Sequence, residues 1–206
     1  MLYQIVKAII LPIVRIILPF KILRRDRIIN NKGSLYICNH YRVLDVSYIA
    51  SLEKGKIHFI GKSELFKSKI GKWLFTKVGV IPVNRDKTDA IAIMKGIKLL
   101  KEGKKISVFP EGTRNKTNKE LLDIKGGAGI FAIKSKCPIQ PVMMLKKPRY
   151  FKKTYLMVGE TFELSEFYDR KLTSADYDNI ANIIIEKMLA LKNELREYLI
   201  SKGKKV

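Results

Sequence analysis

The sequence has few of the residues that build disulfide frameworks and metal sites. Its 206 residues include two cysteines and two histidines. Because Cys38 and Cys137 form no CxxC pair, a disulfide scaffold is not indicated and a reducing cytoplasm is favoured. With only His40 and His58 available, a histidine-rich metal centre is excluded, and we expect no metal.

Acidic residues are scarce as well, since 19 Asp and Glu stand against 41 Lys and Arg, a formal net charge of +22. This excess predicts an anionic partner. Nucleic acid, an anionic membrane and a phosphorylated or acidic substrate all fit the charge. The sequence contains no recognised nucleic-acid-binding module, which disfavours the alternative of a non-enzymatic nucleic-acid-binding protein.

Even the most hydrophobic segment, residues 1–23, lacks a long apolar run. Its longest uncharged stretch, Ala8 to Val14, has seven residues, whereas a spanning helix needs about 20 mostly apolar residues. A signal peptide is not indicated, because the charges lie inside the apolar region and no small-residue cleavage site follows. The interruptions are Lys7, Pro12, Arg15 and Pro19.

A group of cations lies at the end of this segment and just beyond it: Lys21, Arg24, Arg25 and Arg27. An apolar helix flanked by cations is typical of an anchor that lies in the membrane interface. The alternatives are a spanning helix and a helix packed on the protein's own core. We expect residues 1–27 to form a membrane-associating helical anchor and residues 28–206 to form one domain.

Short apolar runs alternate with helical patterns along the rest of the chain, which predicts a single-domain α/β layer fold. A helix from Ala90 to Leu100 would be capped by Asp86 or Thr88. The last helix would begin at a capping box formed by Thr173 and Asp176. Its predicted apolar stripe is Ile180, Ile184, Met188, Leu191, Leu195 and Leu199. The predicted strands are 34–38, 57–60, 78–83, 106–109, 141–145 and 155–158.

The segment Asn39-His40-Tyr41-Arg42-Val43-Leu44-Asp45 directly follows the first of these strands. Inside one regular helix, His40 and Asp45 would point about 140° apart. They can meet if His40 lies in the turn after the strand and Asp45 in the first helical turn. The carboxylate would then fix the tautomer of a general base. The alternative is a histidine that only caps the strand end.

Two more strands run into polar residues. Arg85 ends the segment GVIPVNR, and its guanidinium suits a phosphate, although a surface arginine is the alternative. In FPEGTRN, the residues Glu111, Thr113 and Arg114 could point into one cleft, although the segment could be a capped turn. Lys125 precedes two glycines that open a helical stretch, a pattern that suits phosphate.

Together, these segments resemble the glycerophospholipid acyltransferase family, specifically its bacterial 1-acylglycerol-3-phosphate acyltransferases. The family's blocks are present in order over residues 34–145: N-H-x4-D, G-x-I-P-V-x-R, F-P-E-G-T-R and P-I-x-P-V. Two residues depart from the usual pattern, since Asn115 replaces a serine and Gln140 an apolar residue.

The resemblance implies a mixed, mostly parallel sheet wrapped by helices, with a groove for an acyl chain. His40 would be the general base and Asp45 its orienting partner. The residues that would contact the acceptor are Arg85, Glu111, Gly112, Thr113, Arg114 and Lys125. Domain 28–206 would be the catalytic domain.

The activity implied is transfer of a fatty acyl group from a thioester to the sn-2 hydroxyl of 1-acylglycerol-3-phosphate, giving phosphatidic acid. The donor would be acyl-CoA or acyl-carrier protein, without a further cofactor. Acylation of another lysophospholipid or of an amino lipid is the alternative. The partners would include an anionic membrane surface at the cytoplasmic face, and no nucleic acid.

Overall fold

A seven-stranded sheet forms the centre of the chain. The computed structural model describes residues 2–29, 33–84, 89–124 and 126–204. The strands are β1 (Phe20–Leu23), β2 (Ser34–Cys38), β3 (Ile57–Lys62), β4 (Ile81–Val83), β5 (Lys105–Val108), β6 (Ile139–Met144) and β7 (Thr154–Val158). Their spatial order is β1-β7-β6-β2-β5-β3-β4. Neighbouring strands are parallel except β6 and β7, which are antiparallel. The predicted mixed, mostly parallel α/β sheet is therefore confirmed.

Helices cover both faces of this sheet. The α-helices of the described residues are α1 (Leu2–Ile17), α2 (Asp45–Ala50), α3 (Lys69–Val78), α4 (Ala90–Lys101), α5 (Gly127–Ser135) and α6 (Ser174–Ser201). Alternate residues of β2 enter different cores, because successive side chains of a strand point to opposite faces. Leu35 and Ile37 join the core with α4, α5 and α6. Tyr36 and Cys38 join the core with α1 and α2.

The C-terminal helix follows its sequence pattern. Every residue of the predicted apolar stripe is buried, and Thr173 and Asp176 form the predicted capping box. Helix α4 differs at its start, because the Asp89 carboxylate accepts a hydrogen bond from the Ala92 N–H at 3.0 Å and caps the helix. Asp86 and Thr88, the predicted caps, lie outside the described residues.

The predicted strand 78–83 is wrong over its first half. Val78 is the last residue of α3, and the strand begins only at Ile81. Gly79 ends the helix with a φ of 85°, a left-handed conformation that costs glycine little. The apolar residues around this glycine therefore belong to two different elements.

The N-terminal segment is partly built into the domain. Helix α1 buries Val14, and the following Leu18 is buried too, while isoleucines such as Ile9 and Ile16 are exposed. Strand β1, which the sequence did not predict, pairs with β7 at the sheet edge. In the described ranges, no helix combines the length and apolar character needed to cross a membrane. The division into an anchor, 1–27, and a catalytic domain, 28–206, stays a prediction.

Candidate active site

The candidate site lies where the central parallel strands end. His40 follows β2, and Glu111 follows the neighbouring strand β5. In sheets of this kind, the carboxyl ends of the strands open a crevice that holds ligands. Residues 71 positions apart in the sequence are thereby brought into hydrogen-bond contact.

His40 and Asp45 are in contact, in the arrangement that their spacing in the sequence requires for such a contact. His40 lies in the turn after β2, and Asp45 is the first residue of α2. The His40 Nδ1 atom lies 3.0 Å from Asp45 Oδ2. A carboxylate oxygen only accepts hydrogen bonds, so the proton of the neutral ring lies on Nδ1 and the lone pair on Nε2. Nε2 is then the nitrogen that can take a proton from a substrate.

Asp45 also holds the turn that carries the histidine. Its Oδ2 atom accepts hydrogen bonds from the backbone N–H groups of Tyr41, at 2.6 Å, and Arg42, at 2.7 Å. The side chain is 1% exposed, so these contacts are shielded from water. One oxygen thus fixes both the imidazole and the backbone beside it, which leaves the ring little freedom to rotate.

Glu111 supports the same turn from the other side. Its Oε1 atom accepts a hydrogen bond from the His40 N–H at 2.7 Å, and its Oε2 atom accepts one from the Leu122 N–H at 3.0 Å. Burial raises the pKa of the Glu111 carboxyl, and these two hydrogen bonds oppose that rise. Both carboxylate oxygens therefore help to position backbone, a role that the sequence pattern did not indicate.

Two further contacts at the histidine were missed by sequence reasoning. The Phe109 ring stacks on the His40 ring with centroids 3.9 Å apart. The buried Asn39 amide exchanges two hydrogen bonds with the backbone of Met144 at the end of β6. An asparagine just before the histidine was the only available signal, because the sequence does not show which strand lies beside β2.

Asn115, which departs from the family pattern, forms hydrogen bonds within the loop after β5 and with the His40 turn. Its N–H donates to the His40 carbonyl at 2.6 Å. Its side chain bonds to Thr117 and Lys119 and is buried. The asparagine at this position therefore stabilises the loop that supports His40.

A cavity of about 480 Å³ opens beside the histidine turn. Glu111, Gly112 and Thr113 line it, together with apolar side chains of α4 and α5. Gly112 has a φ of 65°, which turns the chain back after β5. Arg114, the next residue of this block, is exposed. Two other predicted acceptor contacts, Arg85 and Lys125, lie outside the described residues.

A second, apolar cavity of about 310 Å³ lies on the opposite face of the sheet. It is lined by residues of α1, α2, β3 and α3, and Lys7 is the only charged side chain among the described residues of this lining. The residues on both sides of Asp45, Leu44 and Val46, contribute to the wall. This cavity therefore begins beside the histidine–aspartate pair.

The remaining candidates for chemistry are structural. Cys38 is fully buried, and burial raises the pKa of its thiol well above the usual value, so a reactive thiolate is disfavoured. His58 Nδ1 lies 2.9 Å from the Gly79 carbonyl oxygen at the end of α3. No cluster of three or more metal-ligating side chains occurs in the described part of the chain.

The fold and the site define an α/β protein with a histidine–aspartate pair at its strand ends, suited to general-base chemistry. Residues 20–145 match the Acyltransferase family, and the chain belongs to this family. The matched region contains His40, Asp45 and Glu111, whereas the α1 wall of the second cavity lies outside it.

Curated relatives support the same assignment. A 1-acyl-sn-glycerol-3-phosphate acyltransferase of Bacillus subtilis is 31% identical over 71% of this chain and 75% of its own length. A relative of the same name from Helicobacter pylori is 32% identical over 58% of this chain. The chain spans about half of that relative's length, 51%. The crystal structure of the enzyme of this kind from Thermotoga maritima shares the fold, with a TM-score of 0.65 at 20% identity, over 87% of this chain and 71% of that one.

Proposed function

We propose that this chain transfers a fatty acyl group from an acyl thioester to the sn-2 hydroxyl of 1-acylglycerol-3-phosphate, forming phosphatidic acid. The observation that carries the proposal is the 3.0 Å contact between His40 and Asp45 at the strand ends. Relatives whose names state this activity support the choice of acceptor.

His40 acts as the general base in this reaction. Its Nε2 takes the proton of the acceptor hydroxyl while Asp45 stabilises the imidazolium that forms. The acceptor oxygen attacks the thioester carbonyl, and a tetrahedral intermediate forms. When the carbon–sulfur bond breaks, the imidazolium returns the proton to the leaving thiolate. The products are the ester and a free thiol, and no covalent acyl-enzyme is required.

The acceptor occupies the cavity lined by Glu111, Gly112 and Thr113. Its phosphate binds Arg114 together with Arg85 and Lys125. These three cations lie within two positions, in the sequence, of the lining residues Val83, Thr113 and Asp123. An arginine suits this role because its planar donors match phosphate oxygens. The position of this cavity beside the histidine turn, with Glu111 and Phe109 in its lining, supports the placement.

An acyl chain lies in the apolar cavity between α1, α2, β3 and α3. The almost uncharged lining supports this placement, because a hydrocarbon gains free energy from leaving water, about 25 cal/mol per Å² of buried apolar surface. Helix α1 forms part of the wall and also turns isoleucines outward. We propose that this outer face of α1 lies in the membrane interface at the cytoplasmic face of the cell membrane.

Acyl transfer to a panel of lysolipids tests the proposed function. The purified chain is incubated with a labelled donor, either acyl-CoA or acyl-carrier protein. In separate reactions the acceptor is 1-acylglycerol-3-phosphate, a lysolipid with another headgroup or an amino lipid. The proposal predicts labelled phosphatidic acid as the main product. Preferred labelling of another lysolipid or of the amino lipid would show that the acceptor differs from the proposed one. Failure with every acceptor and donor would refute the function.

A further inference from the structure

A strongly basic cavity of about 370 Å³ lies on the other side of the histidine turn from the acceptor cavity. Tyr41, the residue after His40, forms part of its wall, as does Leu145 at the end of β6. The acceptor cavity instead extends toward β3 and β4 through Ile60 and Val83. Because β2 lies between β6 and β5 in the sheet, the two cavities approach His40 from opposite directions.

The cavity is lined by six cationic side chains and one carboxylate. The carboxylate, Glu120, forms salt bridges with Lys192, at 3.5 Å, and with Arg196. Lys192 is only 4% exposed, so one of these positive charges is held inside the wall. The six cations are Lys116, Lys119, Lys146, Lys147, Lys192 and Arg196.

Three of the cations have no acidic partner among the residues that the structure describes. Lys116, Lys146 and Lys147 form no salt bridge there, while Lys119 lies 3.8 Å from an Asp123 oxygen. A concave surface lined by charges of one sign focuses the electrostatic potential and attracts ions of the opposite sign. The cavity therefore favours a ligand with several negative charges.

We infer that this cavity binds the phosphates of the acyl donor when the donor is acyl-CoA. The inference rests on the proposed function, which requires a thioester beside His40. A phosphomonoester carries about two negative charges near neutral pH, and the donor adds a diphosphate to it. The acceptor carries a single phosphate, so its binding in this cavity would neutralise only part of the positive charge. Charge and concave shape thus favour the phosphorylated nucleotide end of CoA over the acceptor.

Binding of adenosine 3′,5′-bisphosphate, measured by calorimetry, tests the site without requiring turnover. The variant Lys116→Gln/Lys146→Gln/Lys147→Gln should bind this probe about 10-fold more weakly or worse than the native chain. A matched control, Lys95→Gln/Lys101→Gln/Lys187→Gln, removes the same charge from exposed positions on α4 and α6 and should bind normally. Equal binding by the native chain and both variants, or no binding by any of them, would overturn the inference.

Donor kinetics provide the second measurement. The native chain should prefer acyl-CoA over acyl-pantetheine, which lacks phosphate, and the cavity variant should lose about 10-fold of this preference with an unchanged KM for the acceptor. If the cavity variant instead loses transfer only from acyl-carrier protein, the cavity serves an acidic protein and the inference is wrong. If no donor is used but the bisphosphate binds as predicted, the proposed function fails while the binding site stands.

Discussion

The backbone N–H of His40 donates a hydrogen bond to Glu111 Oε1 at 2.7 Å. The second oxygen of Glu111 accepts a hydrogen bond from the Leu122 N–H. The carboxylate thus joins the turn after β2 to the loop after β5. His40, the proposed general base, and the loop that lines the proposed acceptor cavity are consequently held in one arrangement.

Glu111→Ala should leave two partly buried N–H groups, those of His40 and Leu122, without their acceptor. We expect the free energy of unfolding to fall by about 1–3 kcal/mol and kcat to fall with it, because the His40 turn is no longer fixed. Glu111→Gln keeps one oxygen and should lose less stability. Urea unfolding and steady-state kinetics measure both effects, with the exposed Glu197→Ala as the control. An Ala variant as stable and active as the native chain would rule out this role.

Asp45→Asn tests the orienting role of the carboxylate. The amide can donate to Nδ1, which would move the ring proton to Nε2 and remove the lone pair that accepts the substrate proton. By analogy with the serine-protease triad, kcat should fall by about 10⁴-fold. Asp178→Asn, on the exposed surface of α6, provides the control. Nearly native kinetics in Asp45→Asn would mean that Asp45 only holds the backbone turn.

The exposed isoleucines of α1 should control membrane binding. Ile9, Ile13 and Ile16 are 57%, 47% and 70% exposed and share one face of the helix. Replacing all three with Gln should release the chain from anionic vesicles, because their apolar surface no longer enters the interface. Co-sedimentation with vesicles measures binding, and circular dichroism checks that the fold is kept.

The matched control for this experiment carries Ile91→Gln, Met94→Gln and Ile200→Gln. These residues are also exposed, but they lie on α4 and α6, which cover the other face of the sheet. The control should bind vesicles like the native chain. If the control is released instead, the membrane contacts that face, and the proposed position of α1 is wrong.

His58 should make stability depend on pH. Burial lowers the pKa of its imidazole, although the Gly79 carbonyl oxygen opposes this effect. As pH falls, the unfolded chain takes up a proton first, near about pH 6.5, while the folded chain does so only at lower pH. Acidification through this range therefore favours unfolding.

His58→Gln removes this titration. Measured by urea unfolding at pH 8 and at a pH below the unfolded pKa of histidine, the native chain should lose more stability than the variant. The other groups that titrate in this range are present in both chains, so their contributions to the stability loss cancel in the comparison. An equal loss in both would show that the folded environment leaves the titration of His58 unchanged.

Periodicity in the sequence predicts the fold best where one element is long. The stripe from Ile180 to Leu199 and the Thr173 cap define α6 from sequence alone, because a long helix repeats its pattern many times. The strand β1 was missed, since Phe20–Leu23 has only four residues and directly continues the apolar N-terminal segment. Around Gly79, apolar residues of a helix end and a strand start follow one another without a break. Only the left-handed backbone at Gly79 separates them.

The candidate site likewise contains contacts that the sequence indicates and contacts that depend on the order of strands in the sheet. The spacing of His40 and Asp45 allows their contact if the histidine lies in the turn and the aspartate in the first helical turn, but it leaves a strand-capping histidine as the alternative. The resemblance of the whole set of blocks to the acyltransferase family is what favours the pair. The contact between His40 and Glu111 could not be predicted from their separation, since it depends on β2 and β5 being neighbours. Sheet order likewise determines that Phe109 stacks on the imidazole.

The most direct test of the account compares native chain and His40→Ala in acyl transfer from labelled acyl-CoA to 1-acylglycerol-3-phosphate. His58→Gln, which changes the other histidine, is measured alongside. General-base catalysis contributes about 10²- to 10⁴-fold, so kcat for His40→Ala should fall by that factor while circular dichroism shows an intact fold. A folded His40→Ala variant that keeps more than about a tenth of the native kcat would contradict the assignment of His40 as the general base.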